Sequence, residues 1–157
     1  MRILALLLLF AACGSKQASP GSPQVVAKAA FEALKAGGIG PLEEHLMTPE
    51  EARRIMSVAL DDSAERERWD RLLSQEHDRL GVDWATAKLG VTRVKMDAMG
   101  SNATVSLEIL SDTGSAKAEI EVLKIGSRFV FQNLKALKAA PPAKEAAPAG
   151  EDDGCGG

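Results

Sequence analysis

The chain has 157 residues, a formal net charge of −3, and a composition that is 45% hydrophobic but only 4% aromatic. This length suits one folded domain with additional terminal segments, and the lack of a basic stripe interleaved with aromatic residues argues against a nucleic-acid partner. The chain has two cysteines, Cys13 and Cys155; if Cys13 is modified, Cys155 has no partner within the chain, and the core must then hold without a disulfide.

An apolar segment near the start of the chain predicts a targeting signal. Arg2 is followed by the run Ile3–Phe10, then by two alanines and Cys13. A membrane-spanning helix needs about 20 apolar residues, so this run is too short to cross a bilayer. A basic start, a short apolar region and small residues before a cleavage site are typical of a secretory signal peptide.

The stretch Phe10-Ala11-Ala12-Cys13 resembles the lipobox of bacterial lipoproteins in its last three positions, although that family usually has leucine where Phe10 stands. The resemblance implies cleavage before Cys13 and acylation of its thiol. Two or three acyl chains would hold the protein on a membrane, because a single chain binds only reversibly. Gly14 after the cysteine implies the periplasmic face of the outer membrane. The alternative is an ordinary secretory signal that leaves Cys13 as a free thiol.

Composition divides the chain into four segments. Residues 1–12 form the predicted signal peptide, and residues 13–23, which are small, polar and proline-containing, predict a flexible tether. Residues 24–138 carry the periodic apolar patterns of a folded domain. Residues 139–157 lack side chains that could fill a core, so we expect a disordered tail in which Cys155 is an incidental thiol.

The first predicted helix follows Ser22 and Pro23, which suit an N-cap and a first-turn position. It ends at Gly37, and a short second helix is predicted over Pro41–Met47. The spacing of apolar residues predicts one buried face on the first helix. That face comprises Val26, Ala30, Ala33 and Leu34.

The third predicted helix starts at Thr48, which forms a capping box with Glu51. A fourth helix follows Asp61 and ends at Gly81, and we expect its surface to be charged and exposed. Spacing of three and four residues predicts an apolar face on each. These faces comprise Ala52, Ile55, Met56, Ala59 and Leu60 in the third helix, and Trp69, Leu72, Leu73 and Leu80 in the fourth.

From about Leu89 the apolar period changes to two, which predicts half-buried strands. Four strands joined by short turns would form an antiparallel meander. Helices first and strands afterwards indicate an α+β domain with N-terminal helices packed on one face of a C-terminal four-stranded sheet. The inward residues are Val94, Met96, Ala98, Ala103, Val105, Leu107, Ile109, Ala118, Ile120, Val122, Phe129 and Phe131.

This order of elements resembles the small NTF2-like (cystatin-like) α+β domains found in bacterial lipoproteins. The opening "SPQVVAKAAFEALKAGG" matches that family at Val26, Phe31 and Gly37, whereas Phe129 stands where the family has a tryptophan. The charged segment 52–80 is longer than expected for the family. The resemblance implies a ligand-binding cone between helices and sheet, and it predicts no particular activity.

Few residues suggest catalytic or metal-binding chemistry. His45 and His77 each lie beside acidic residues, and with Glu44 and Glu76 they could be drawn into a metal site. Their spacing matches no ligand motif, so we expect solvated helix faces and no metal or other cofactor. The chain contains no G-x-S-x-G motif, and Cys155 has no positioned base, so nucleophilic catalysis is not expected.

An isomerase of the ketosteroid type is also not expected. Such enzymes combine an aspartate base with a tyrosine in the oxyanion hole. This chain has no tyrosine, and Asp97 falls on the outward side of its predicted strand. Trp69 and Trp84 could line an apolar pocket between helices and sheet, but core packing is the expected role of both. If a ligand pocket is present, Trp84, Met96 and Phe129 would line it.

The leading functional expectation is a non-catalytic domain, attached to the cell envelope by lipid on Cys13, that binds a protein partner at the membrane surface. The alternative is a carrier of a small apolar ligand held between helices and sheet. An enzyme would require polar residues that converge in that cavity.

Overall fold

The computed structural model describes residues 21–140, which form three α-helices, a 3₁₀ helix and one antiparallel sheet. Helix α1 spans Pro23–Ala36, the 3₁₀ helix Gly40–His45, α2 Pro49–Met56 and α3 Asp62–Leu80. Strand β1 spans Lys88–Met96, β2 Asn102–Ser111, β3 Gly114–Ile125 and β4 Arg128–Ala140. The strands pair in chain order, so the predicted α+β arrangement of N-terminal helices and a C-terminal four-stranded meander is confirmed.

Several predicted features lie outside the described residues. They are the signal peptide 1–12, the acceptor Cys13, the tether as far as Pro20, and the tail from residue 141 with Cys155. The folded part begins at Pro23, one residue before the predicted boundary, and β4 continues two residues beyond the predicted end at residue 138.

Helix α1 is the element on which the fold is organised. Pro23 occupies its first turn, where a missing N–H costs nothing. Gly37 ends it at a φ of 65°, and the Gly38 N–H donates to the Ala33 carbonyl at 3.1 Å. The helix contacts all four strands. Its predicted buried face is confirmed at Val26, Ala30, Ala33 and Leu34.

The two faces of the sheet differ in polarity. On the inner face Val105 pairs with Ile120, which pairs with Leu134, and all three are buried. On the outer face Glu119 lies between Ser106 and Lys135. Period-two alternation therefore separates a core-facing surface from a charged one.

One contiguous core fills the space between the helices and the sheet. Its members come from α1, the 3₁₀ helix, α3 and the inner faces of the strands. Trp69 is 5% exposed, which confirms its predicted core position. The largest completely buried side chains of the cluster include Leu34, Leu42, Leu73, Leu107, Ile109 and Ile120.

Some predicted elements differ from the structure. The second predicted helix, Pro41–Met47, is a 3₁₀ helix that ends at His45. Strand β1 ends at Met96, so Ala98 lies in the following turn and not on the strand. Between Leu89 and Thr92 the register of β1 shifts by a bulge, which the alternation of apolar residues did not reveal.

Candidate functional site

A surface groove lies where α2, α3 and the middle of β4 meet. Its volume is about 200 Å³. We call it the apolar groove, because most of its lining is hydrophobic. The apolar lining residues are Leu46, Met47, Met56, Leu60, Trp69 and Phe131, and the polar ones are Asp62, Glu65, Arg66 and Gln132.

An aromatic pair forms the floor of the apolar groove. The rings of Trp69 and Phe131 meet edge to face with centroids 4.9 Å apart. The Arg68 guanidinium lies 5.1 Å from the Trp69 ring centroid on the exposed side of α3. Both aromatic residues are buried, so the floor is rigid and continuous with the core.

Helix α2 forms one wall, and its limits are set by local capping. The Thr48 hydroxyl accepts from the Glu51 N–H at 3.2 Å, and the Glu51 carboxylate accepts from the Thr48 N–H at 2.9 Å, as the capping box predicted. The helix stops at Met56 because Ser57 adopts a left-handed φ of 55°. Asp61 then caps α3 by accepting from the N–H groups of Ser63 and Ala64.

The prediction of a buried apolar face on this helix is wrong for most of its members. Ala52 is the one buried residue of α2. Ile55 and Met56 are 44% and 45% exposed. Ala59 and Leu60 lie beyond the end of the helix, because the chain must turn between Ser57 and the Asp61 cap.

The outward part of α2 combines basic and apolar side chains. We call Arg53, Arg54, Ile55 and Val58 the α2 tip; all four are exposed, Val58 by 50%. None of the ion pairs within residues 21–140 involves either arginine. The tip thus presents free positive charge beside apolar surface.

One arginine of the sheet holds α2 in place. The Arg128 Nε and Nη2 both donate to the Glu51 carboxylate, with Nε 3.1 Å from Oε1. Its guanidinium also donates to the carbonyls of Glu44 and Leu46. Burial alone would raise the pKa of Glu51, but hydrogen bonds from Arg128 and Thr48 outweigh it and hold the pKa below its ordinary value. We call this set of contacts the Arg128 clamp.

Charged residues border the apolar groove on the side of α3. Arg66 forms ion pairs with Glu43 and Asp62, each at 3.1 Å. Glu65 lies 3.6 Å from Arg68. These pairs are solvent-exposed and contribute little to stability, but they fix the positions of charges around an apolar centre. Such an arrangement suits the burial of an apolar side chain from another molecule.

The structure does not bring together the three residues predicted to line a pocket. Trp84 precedes β1 and Met96 ends it, and this strand of nine residues extends about 27 Å. Phe129 lies on β4, at the other edge of the sheet, and is buried in the core. Met96 instead lines a separate depression of about 390 Å³ beside Asp97.

The two histidines lie apart, and each is packed against other residues of the fold. His45 ends the 3₁₀ helix, and burial lowers its pKa, with Arg128 adding to the shift and Glu44 opposing it. His77 is half-buried, with Nδ1 2.7 Å from the Leu34 carbonyl oxygen and its ring stacked on Trp84. Its predicted position on a solvated helix face is therefore wrong.

Asp97 stabilises the turn between β1 and β2 and is not on a strand. Its carboxylate accepts from the Ser101 N–H at 2.8 Å and from the Asn102 side-chain amide at 2.9 Å. Hydrogen bonds, led by that of the Asn102 side chain, lower its pKa to about 2. The predicted outward exposure is confirmed.

The groove was not anticipated from the sequence, although one signal was available. The apolar spacing assigns Met56 and Leu60 to a buried helical face, yet α2 is only eight residues long. So short a helix cannot include all the apolar residues assigned to it, and the remaining ones lie at the protein surface. No local sequence pattern indicates the role of Arg128, because its partner Glu51 is 77 residues away in the chain.

Comparison with known proteins adds little to this description. No protein-family model matches the chain, and no curated protein does. The solution structure of a SEC-C motif containing protein from Rhodopseudomonas palustris is similar at 17% identity and a TM-score of 0.40, over 77% of this chain and 83% of that one. At this level the likeness carries no argument. Among the described residues no helix is long and apolar enough to cross a membrane.

Proposed function

We propose that this protein is a lipid-anchored component of a bacterial cell envelope whose non-catalytic α+β domain binds a protein partner at the membrane surface. The observation that carries the proposal is the apolar groove, whose floor of Trp69 and Phe131 is continuous with the core and whose wall exposes Met56. An exposed apolar surface of this kind typically marks an interaction site.

The anchor part of the proposal rests on the segment that ends at Cys13. Acylation there would place the domain close to a bilayer, because the ten residue-to-residue steps from Cys13 to Pro23 span at most about 35 Å. The glycine that follows the cysteine supports the periplasmic face of the outer membrane as the location.

The size of the apolar groove suggests how such a partner would bind. About 200 Å³ accommodates one or two apolar side chains, which is below the usual range for a small-molecule pocket. An interface built on so few anchors would be weak in solution. Attachment of both partners to one membrane raises their effective concentration, and so compensates for the weak contact.

The finer fold assignment is also part of the proposal. Contact of one helix, α1, with every strand of a four-stranded meander supports an NTF2-like, cystatin-like domain. The core cluster occupies the space between α1 and the sheet. The carrier alternative would therefore need the ligand to bind elsewhere or to displace core side chains.

The anchor is tested by the intact mass of the protein extracted from membranes. We expect the mass of residues 13–157 plus acyl chains, and loss of the acyl mass in Cys13→Ala or after inhibition of the lipoprotein signal peptidase. An unmodified mature chain in the soluble fraction would exclude lipid anchoring. A non-covalent apolar ligand in the native mass spectrum would instead favour the carrier alternative.

Partner binding is tested by photo-crosslinking in cells. A benzophenone amino acid at Met56 should give a discrete protein adduct, because this side chain lines the apolar groove and is 45% exposed. The matched control is Val91, which is 63% exposed on β1 and distant from α2. A Leu60→Arg substitution in the same chain should abolish the adduct. Equal adducts from both positions would refute the groove as the binding site.

A further inference from the structure

The point where the chain enters the folded domain lies close to α2. Gly21 packs so tightly against the β3–β4 turn that an added β-carbon would lie 2.3 Å from the Ser127 carbonyl oxygen. The next residue, Arg128, holds Glu51 of α2. The tether therefore leaves the domain at the end that carries the Arg128 clamp, which we call the exit end.

A second turn also belongs to the exit end. The Lys124 N–H, near the end of β3, donates to the Ser101 carbonyl of the β1–β2 turn at 2.7 Å. That turn carries Met99, which at 89% is the most exposed large apolar side chain among residues 21–140. Both turns and α2 thus lie at one end of the sheet.

Exposed apolar side chains are concentrated at this end. Ile55 and Val58 of the α2 tip, on the β4 side of the sheet, are about half exposed, and Met99 projects from the β1–β2 turn on the opposite side of the same end. Other large apolar residues on the surface, such as Val91 and Leu110, lie singly on strands. Single exposed apolar side chains are common on protein surfaces, whereas several at one end of a domain indicate contact with a partner.

We propose that the α2 tip docks onto the lipid surface to which the chain is tethered, with Ile55 and Val58 entering the interface and Arg53 and Arg54 contacting headgroup phosphates. This inference rests on the proposed lipid anchor. The eight residue-to-residue steps from Cys13 to Gly21 allow at most about 28 Å between the bilayer and the exit end. The exit end, and with it the segment that carries the α2 tip, therefore stays within reach of the bilayer.

The composition of the α2 tip fits a shallow interfacial contact. Interfacial helices bury an apolar face at the level of the headgroups and keep arginine or lysine beside it. Glu50 and Asp61 flank the tip, so its net charge is close to zero and the apolar side chains supply the depth of insertion. Docking in this way would set the apolar groove beside the bilayer, where a membrane-anchored partner can reach it.

The test measures membrane depth at single spin-labelled sites of the full acylated chain. Val58→Cys and the control Val91→Cys, each in a Cys155→Ser background, carry a nitroxide, and the protein is placed in vesicles of phosphatidylethanolamine and phosphatidylglycerol. We expect the label at position 58 to become more accessible to oxygen and less accessible to a water-soluble nickel complex than in the unacylated Cys13→Ala chain. The label at position 91 should not change.

Charge variants test the role of the arginines. An anionic surface attracts each nearby arginine by about 1 kcal/mol, which is about a fivefold effect. The double variant Arg53→Gln, Arg54→Gln should therefore lower the ratio of docked to undocked molecules by at most about 25-fold, and by less where Glu50 and Asp61 screen the arginines; vesicles without anionic lipid should give a loss in the same direction. Both residues are exposed surface positions, so the fold should be unaffected.

Each other outcome overturns the inference and can be told apart from failure of the anchor. If the chain is not acylated and does not sediment with vesicles, the proposed anchor fails. If it is acylated and sediments, yet position 58 stays open to the nickel complex, only the docking inference fails. Shielding of position 58 at high protein concentration without lipid would indicate a second copy as the occupant. Shielding of position 58 that requires an added envelope protein fraction would indicate a protein as the occupant.

Discussion

Substitution of Arg128 by glutamine should release α2 from the domain without unfolding it. The variant removes two donated bonds to the Glu51 carboxylate and the bonds to the carbonyls of Glu44 and Leu46. Ala52 is the one buried residue of α2, so little else holds the helix down. The loss should therefore stay local.

The magnitude follows from the exposure of the pair. A hydrogen bond to a charged group contributes about 1.5–3 kcal/mol when it is well shielded. The side chains of Arg128 and Glu51 are 34% and 15% exposed, so solvent screening reduces the combined effect to about 2 kcal/mol. Local opening of α2 should then become about 30-fold more frequent.

Amide hydrogen exchange measures this opening directly. In Arg128→Gln the amides of Ala52 to Ser57 should exchange about 30-fold faster, while those of β2 and β3 should change little. Arg79→Gln is a matched control, because Arg79 also bonds a glutamate, Glu76, and a backbone carbonyl, but far from α2. Equal acceleration in α2 and in the central strands, or none in either, would refute the local clamp.

Three further predictions concern stability. The pKa of Asp97 is lowered from 3.8 to about 2, so its ionised carboxylate contributes to the free energy of unfolding. This contribution is complete above about pH 4 and is lost as the pH falls towards 2. Asp97→Asn should remove this acid dependence from urea unfolding midpoints. Gly37→Ala and Gly81→Ala place a β-carbon at φ values of 65° and 61°. Each should cost about 1–2 kcal/mol in thermal unfolding, because the left-handed backbone sets the cost at both positions and the His77 ring, 3.4 Å from the new carbon at Gly37, is in ordinary van der Waals contact; no loss of stability at either position would contradict this. Leu34→Ala, at a completely buried position, should cost about 2–5 kcal/mol, and a loss below 1 kcal/mol would mean that the core relaxes around it.

Local signals in the sequence were sufficient for most of the fold. The capping box at Thr48 and the left-handed glycines at Gly37 and Gly81 depend only on neighbouring residues, and all three ended or started helices as predicted. The period-two pattern placed Val105 and Ile120 on the buried face, because alternation in a strand leaves each side chain only two directions.

Features set by distant parts of the chain could not be predicted in this way. The Arg128 clamp joins residues 77 positions apart, and nothing near either residue indicates its partner. The predicted pocket failed for the same reason. Trp84, Met96 and Phe129 are all apolar, but only the paired sheet shows that they lie at different ends and edges. Apolar periodicity indicates that a helix or strand has a buried face, but it does not indicate which other element packs against that face.

Helix α2 connects the structural and functional arguments. Ile55 does not promote the helix better than a charged residue would, since β-branched side chains have the lower helix propensity, and Val58 lies beyond the end of the helix. They also bury little surface within the described domain, being 44% and 50% exposed. Neither local helix formation nor the folded core accounts for apolar side chains at these positions, so an external contact is the better explanation.

If that contact is the bilayer, it acts on the same segment as the Arg128 clamp. A surface that binds only the closed position of α2 stabilises that position by mass action. Acylated Arg128→Gln on anionic vesicles should therefore regain slow amide exchange in α2, whereas the same variant in solution exchanges about 30-fold faster than the parent chain. The unacylated variant, mixed with the same vesicles, controls for lipid effects on exchange. If exchange in α2 remains fast on the membrane, the bilayer does not bind the closed position of α2 selectively, and the clamp and the lipid contact are independent.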